Sequence, residues 1–356
     1  MQRTALTTAS ILALALTACG SDGTSGSAPV TSAPPPAAST TPSSSAAPPA
    51  SAGSTTTSDP SDVVVVSDIE YYESDTGDVA HLDVYHLPAE RDLPLVVLFH
   101  SNPVFGGTKA DEETLATMIA ERGAVVVTPT YGSNLRLTEM NVIAREVLRW
   151  FRDQGPCAVW KAVELAPSFG ADPSHLTVVG DVTGMGPAQM ATFSPPSEIA
   201  GCAAAPFDAP VEKAILFETD WLYVPDIWDE VLAEDPAWFT AMTHWDDISD
   251  PNATNIYMLA GENSASNTVR SLNGQSYSES DWVALRDPDA TLAEAWAASG
   301  ALDDDEMSFT DVSQLATRAL VDAGWDAEFM FVPGVSHSLS TTESKALIVK
   351  LIFDGG

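Results

Sequence analysis

Gly180-Asp181-Val182-Thr183-Gly184 is the run whose residue types and spacing come closest to a chemical device. It follows the apolar stretch Leu176–Val179 and reads as a strand, a tight turn and the start of a helix. A glycine sits two positions either side of the central residue. A turn of that shape lifts its central side chain clear of the sheet, where a hydroxyl, thiol or carboxylate can attack an acyl carbon. The central residue here is Val182, and a branched alkyl group has no nucleophilic atom. The nearest reactive groups are the Asp181 carboxylate and the Thr183 hydroxyl, each one residue off the apex. Misplacement of even ~1 Å costs on the order of 100-fold in rate, and Thr183 has the simpler role of capping the following helix.

Other clusters carry less chemistry. The six histidines show no metal-ligand spacing, so neither a metal nor a cofactor is expected. Asp303-Asp304-Asp305-Glu306 lacks the glycine and the spaced ligands of a calcium loop and reads as a solvated turn. Three cysteines are present, Cys19, Cys157 and Cys202. If Cys19 is set aside as a lipid site, the remaining even pair in an exported chain predicts a disulfide. Two separate buried thiols are the alternative.

The order of several short motifs resembles the α/β-hydrolase superfamily, in its carboxylesterase and feruloyl-esterase-like branch. His81-Leu-Asp-Val-Tyr85 is similar to a strand common there. Val96-Val97-Leu98-Phe99-His100, followed by Gly106-Gly107, resembles the strand and loop that supply the oxyanion hole. Cys157-Ala-Val-Trp160 and Phe169-Gly-Ala-Asp-Pro173 resemble the helix and the lead-in to the nucleophile turn. The resemblance makes Val182 the nucleophile position, His337 in Val332-Pro-Gly-Val-Ser-His-Ser338 the base position, and Ser264 the acid position, with Glu262 near it. It implies that the residue at 182 is held at positive φ, which is unfavourable for a β-branched side chain. Either a backbone outlier or a relaxed turn is therefore expected.

Three departures from the family pattern coincide. Val182 is inert. Serine at 264 cannot stabilise an imidazolium as a carboxylate does. The oxyanion region reads His100-Ser101-Asn102-Pro103, in which proline contributes no amide, leaving Ser101 and Asn102 as side-chain donors or as a plain turn.

The elements needed to hold this set follow from the apolar pattern. Strands are expected at Val63–Val66, Val79–Tyr85, Leu95–Phe99, Ala124–Thr128, Leu176–Val179, Asn255–Leu259 and Ala327–Val332. Helices are expected at Asp111–Arg122, Glu139–Arg152, Ala158–Ala166 and Glu343–Phe353. Buried strands alternating with helices give an α/β class, a mainly parallel sheet covered on both faces, with a helical cap. Insertions are expected near 212–250 and 265–310. They carry two aromatic groups, Trp221, Tyr223, Trp228, Trp238, Phe239 and Trp245, then Tyr277, Trp282 and Trp296. Aromatic walls suit a flat or carbohydrate-like ligand and equally suit ordinary helix packing.

The amino terminus reads as an address. Residues 1–18 have the layout of a secretory signal, and Leu16-Thr-Ala-Cys19 resembles a bacterial lipobox, which implies lipid on the Cys19 thiol. Residues 19–61 are Ser, Thr, Ala, Pro and Gly with almost no large apolar side chains, the composition of a disordered tether. At about 3 Å per residue this spacer reaches on the order of 100 Å from a membrane. The remainder, 62–356, suffices for one large domain. A net charge of −35 argues against nucleic acid and against direct adsorption to anionic lipid.

Taken together, these features predict a lipid-anchored, extracytoplasmic, hydrolase-like protein that binds a small ligand or an envelope protein and has lost serine-esterase chemistry. The alternative is an active carboxylic ester hydrolase with a non-standard nucleophile.

Overall fold

The computed structural model describes residues 62–88, 90–101, 107–132, 150–193, 198–206, 211–218, 254–262, 323–335 and 339–354, with scattered helical positions from 310 to 321. Eight strands form one sheet: β1 (Val64–Glu73), β2 (Val79–His86), β3 (Leu93–Phe99), β4 (Val125–Pro129), β5 (Ala171–Asp181), β6 (Lys213–Phe217), β7 (Asn255–Gly261) and β8 (Asp326–Val332). Their spatial order is β1-β2-β4-β3-β5-β6-β7-β8. The first two pairings are antiparallel and all those from β4/β3 to β7/β8 are parallel.

Helices cover both faces, because the strands alternate two sets of apolar side chains. Leu95, Val97 and Phe99 of β3 share a core with helices α2 (Gly155–Phe169) and α3 (Met185–Phe193). Val96 and Leu98 point the other way, into a core closed by α1 (Glu113–Glu121) and α4 (Thr342–Asp354). The central strands are buried on both sides, which is why they read as continuous apolar runs in the sequence.

The expected elements are present where the residues are described, with three informative differences. β1 is longer than Val63–Val66, because Asp68 takes φ 60 and breaks the register between Val66 and Ile69, which hides the strand's continuation from a simple period. Lys109 secures that bulge by bonding both Asp68 and Asp83. β5 begins at Ala171 rather than Leu176. Lys213–Phe217 is a central strand, so the insertion expected from 212 begins inside the sheet; its lysine start and five-residue length concealed it. Of the helix expected at Glu139–Arg152, only residues from 150 are described, and they form a π-turn ending at Gln154 and leading into α2.

The lysine at the start of β6 is buried yet satisfied. Its ammonium donates to the Ile352 carbonyl at 2.9 Å, near the C-terminal end of α4, where the helix dipole favours a cation.

Cys157 of α2 is bonded to Cys202, with Cα atoms 5.7 Å apart and a sequence separation of 45. Segment 201–203 hydrogen-bonds to β1 through Glu73 N to Gly201 O and Ala203 N to Tyr71 O. The bond thus fastens a helix on one face to chain lying along the sheet edge. Replacing both cysteines by alanine is expected to lower stability by about 2–5 kcal/mol, measured by denaturant unfolding. An unchanged midpoint contradicts that expectation.

Candidate functional site

Strand β5 ends at Asp181, a single turn follows at Val182–Gly184, and α3 begins at Met185. Val182 has φ 50, the left-handed backbone expected of the apex of such a turn. The framing glycines are there because nothing larger fits. A Cβ on Gly180 meets the Met185 Cα at 2.5 Å, and one on Gly184 overlaps the Phe99 carbonyl of β3. The turn therefore keeps its sharpness although its central residue is β-branched. The left-handed conformation costs a β-branched residue roughly 1–2 kcal/mol. Burial of the isopropyl group contributes about 1.5–3 kcal/mol and offsets that strain. Val182 is 2% exposed and belongs to the apolar cluster containing Leu98, Phe217, Leu259, Val332, Val335 and Leu339.

Neither neighbour of Val182 is a free nucleophile. Tyr131, fully buried after β4, donates its hydroxyl proton to the His100 carbonyl. Thr183 is hydrogen-bonded to the same phenol, and since the phenol proton is committed, the threonine hydroxyl is the donor. Asp181 is 5% exposed, and its Oδ1 accepts from Leu339 N at 3.1 Å, behind the turn.

At the oxyanion position, His100 is completely buried and stacked on Tyr131, with ring centroids 4.6 Å apart. Its Nδ1 donates to the Ser101 carbonyl at 2.8 Å, which leaves Nε2 as an unprotonated acceptor with no partner among the described residues. Burial pushes the imidazole down to about 4, so it is neutral in any ordinary medium. The Ser101 carbonyl is taken by His100, and Asn102 lies outside the described residues.

Glu262 follows β7, and its Oε2 accepts from Gly334 N at 3.0 Å. Ser264, His337, Cys19 and both aromatic groups lie outside the described residues. Among the described residues, no three His, Cys, Asp or Glu side chains group as metal ligands, and no helix is long and apolar enough to cross a membrane.

Two carboxylates were missed by the sequence reading. Glu218 follows β6, is fully buried, and has φ 53. Its N–H donates to the Leu259 carbonyl at 2.8 Å, and its Oε1 accepts from Gly261 N at 3.0 Å. The only sequence signal is an acid directly after Ala-Ile-Leu-Phe. Glu112, just before α1, is 5% exposed. Burial, then the charge of Asp181, push it up to about 8, with Lys345 opposing and Asp111 adding to the rise.

Left-handed apices at the ends of β5 and β6, acids at the ends of β5, β6 and β7, and this strand order together fix the architecture. The chain has the α/β-hydrolase fold. No protein-family model matches the sequence, and no curated protein matches it. Among solved structures, a thermophilic esterase from the planctomycete Thermogutta terrifontis, with propionate bound, superimposes with a TM-score of 0.52 at 16% identity. The match covers 81% of this chain and 94% of that one. Esterase B from Lactobacillus rhamnosis gives 0.52 at 14% identity, covering 83% and 86%. At such identities the likeness is one of fold.

The buried acid pair of this hydrolase-fold domain makes its stability depend on pH. The folded chain keeps Glu112 protonated to higher pH than the unfolded chain, whose glutamate titrates near 4.5. Its contribution is therefore complete below that value, declines as pH rises, and is lost once pH passes about 8. Glu112→Gln, which mimics the protonated acid, should match wild type at pH 5 and be more stable by ~1–3 kcal/mol near pH 9. Thermal melts across that range check this; parallel curves for the two proteins count against it.

Proposed function

We propose that this chain is a hydrolase-fold protein without serine-esterase chemistry, working by binding a small ligand or an envelope protein. The observation that carries this reading is Val182 at the apex, left-handed and packed into an apolar cluster. A dead apex held in its strained form retains the shape of a site while offering no atom for acyl transfer. The neighbouring hydroxyl and carboxylate are engaged in holding the turn, and the buried His100 offers no donor through Nε2.

A second reading is an active envelope ester hydrolase using Thr183 or Asp181. It is favoured by the retained turn and by the solved neighbours, both of which are esterases. The full chain, presented with a p-nitrophenyl ester panel and a fluorophosphonate probe, separates the two. The binding reading expects turnover at the buffer rate and no covalent adduct. Turnover that disappears in His337→Ala, or an adduct on the peptide containing Thr183, establishes the hydrolase instead.

The same proposal places the protein on the outer face of a bacterial membrane through lipid on Cys19, with residues 20–61 as spacer. Growth with an alkyne-tagged palmitate should label the wild-type chain, and Cys19→Ser should abolish the label. Equal labelling of both excludes that anchor.

A further inference from the structure

β8 ends the sheet on one side, and only β7 pairs with it among the described residues. Its side chains alternate between the two faces. Phe329 and Phe331 share one face, edge to face, with ring centroids 5.0 Å apart. Phe329 packs partly on the core, but Phe331 is 47% exposed, the one largely exposed aromatic among the described residues. The other face carries Asp326, Glu328 and Met330. Both acids are exposed, and neither has an ion-pair partner among the described residues. An outer ladder, an uncovered aromatic on one face and unneutralised carboxylates on the other thus coincide on one short strand.

We propose that β8 is a docking edge for an extended segment of another protein, one in which apolar and basic residues alternate. A strand laid antiparallel against β8 pairs with its outer main-chain groups, and residues directly opposite one another share a face. The apolar side chains of that segment therefore meet Phe331, and its lysines or arginines meet Asp326 and Glu328. Opposite charges in such cross-strand pairs stabilise the ladder, and like charges oppose it. The same rule disfavours a second copy as the occupant, since antiparallel pairing gathers the acids of both copies on one face. The net charge of −35 acts in the same sense, drawing a basic segment in and holding copies apart. The proposal rests on the reading that this chain works by binding, and it names the protein chemistry the chain would take.

Fluorescence anisotropy on the full chain at physiological salt tests it, with a labelled peptide of about eight residues that alternates lysine with valine or phenylalanine. This peptide should bind saturably. A peptide of the same composition with its lysines in one block, and an alternating one with N-methylated amides, should each bind about 10-fold more weakly or worse. Phe331→Ser should weaken the alternating peptide by about 10-fold. Asp326→Lys combined with Glu328→Lys should lose it and instead bind a peptide with glutamate in place of lysine. All three positions are exposed, so these variants keep the fold, and the N-methylated peptide needs no variant. Equal binding of the alternating and block peptides marks mere attraction to net charge and overturns the proposal. Affinities within about twofold of wild type in the variants overturn it too, as does a dimer in sedimentation that Phe331→Ser dissolves. Ester turnover defeats the binding reading and leaves these titrations unchanged, whereas their failure defeats the docking edge and creates no turnover.

Discussion

Everything at the site depends on one steric constraint, the reversal of chain direction within three residues between β5 and α3. The reversal brings the start of α3 onto the end of β3, and there is room for that only if positions 180 and 184 lack a Cβ. Once those glycines are in place, residue 182 has little choice of backbone conformation and takes φ 50 whatever its side chain. A serine tolerates this conformation at modest cost. A valine tolerates it because its methyl groups are taken up by apolar side chains from β3, β6, β7 and β8. The same turn therefore accommodates a buried alkyl group.

Around that turn, the polar groups at the ends of the strands are mostly paired with main chain, the Thr183 hydroxyl on the Tyr131 phenol being a side-chain pair. Asp181, Glu218 and Glu262 each receive an amide. Tyr131 donates to a carbonyl, and so does His100. Side-chain-to-backbone pairing of this kind holds loops in register, whereas a catalytic relay requires side chains to pass protons between themselves. Glu112, buried just before α1, is held towards its protonated form by that burial and then by the charge of Asp181.

Much of this was legible in the chain because some of its causes are local. The Gly180 and Gly184 spacing announces the turn, since only glycine fits there, and the left-handed Val182 follows from it. The doubly buried strands announce themselves as apolar runs. What stayed hidden depends on contacts distant in sequence. β6 is five residues long and opens with a lysine, whose ammonium is satisfied only by a carbonyl at residue 352. Glu218 looks like an ordinary acid after a strand, and only the arrival of Gly261 from a neighbouring strand gives it a task. Glu112 reads as one surface acid among many in a chain with 50, and its burial depends on how the last helix seats.

The two outermost strands differ in what they offer to other molecules. The outermost strands of the sheet are β1 and β8; an unpaired edge ladder invites strands from other molecules, and segment 201–203 covers part of β1 through Glu73 N and the Tyr71 carbonyl. β1 is broken by its bulge, while β8 exposes Phe331 on one face and the acids Asp326 and Glu328 on the other. Acids along an edge strand discourage pairing between copies, and in β8 they share a strand with the exposed aromatic.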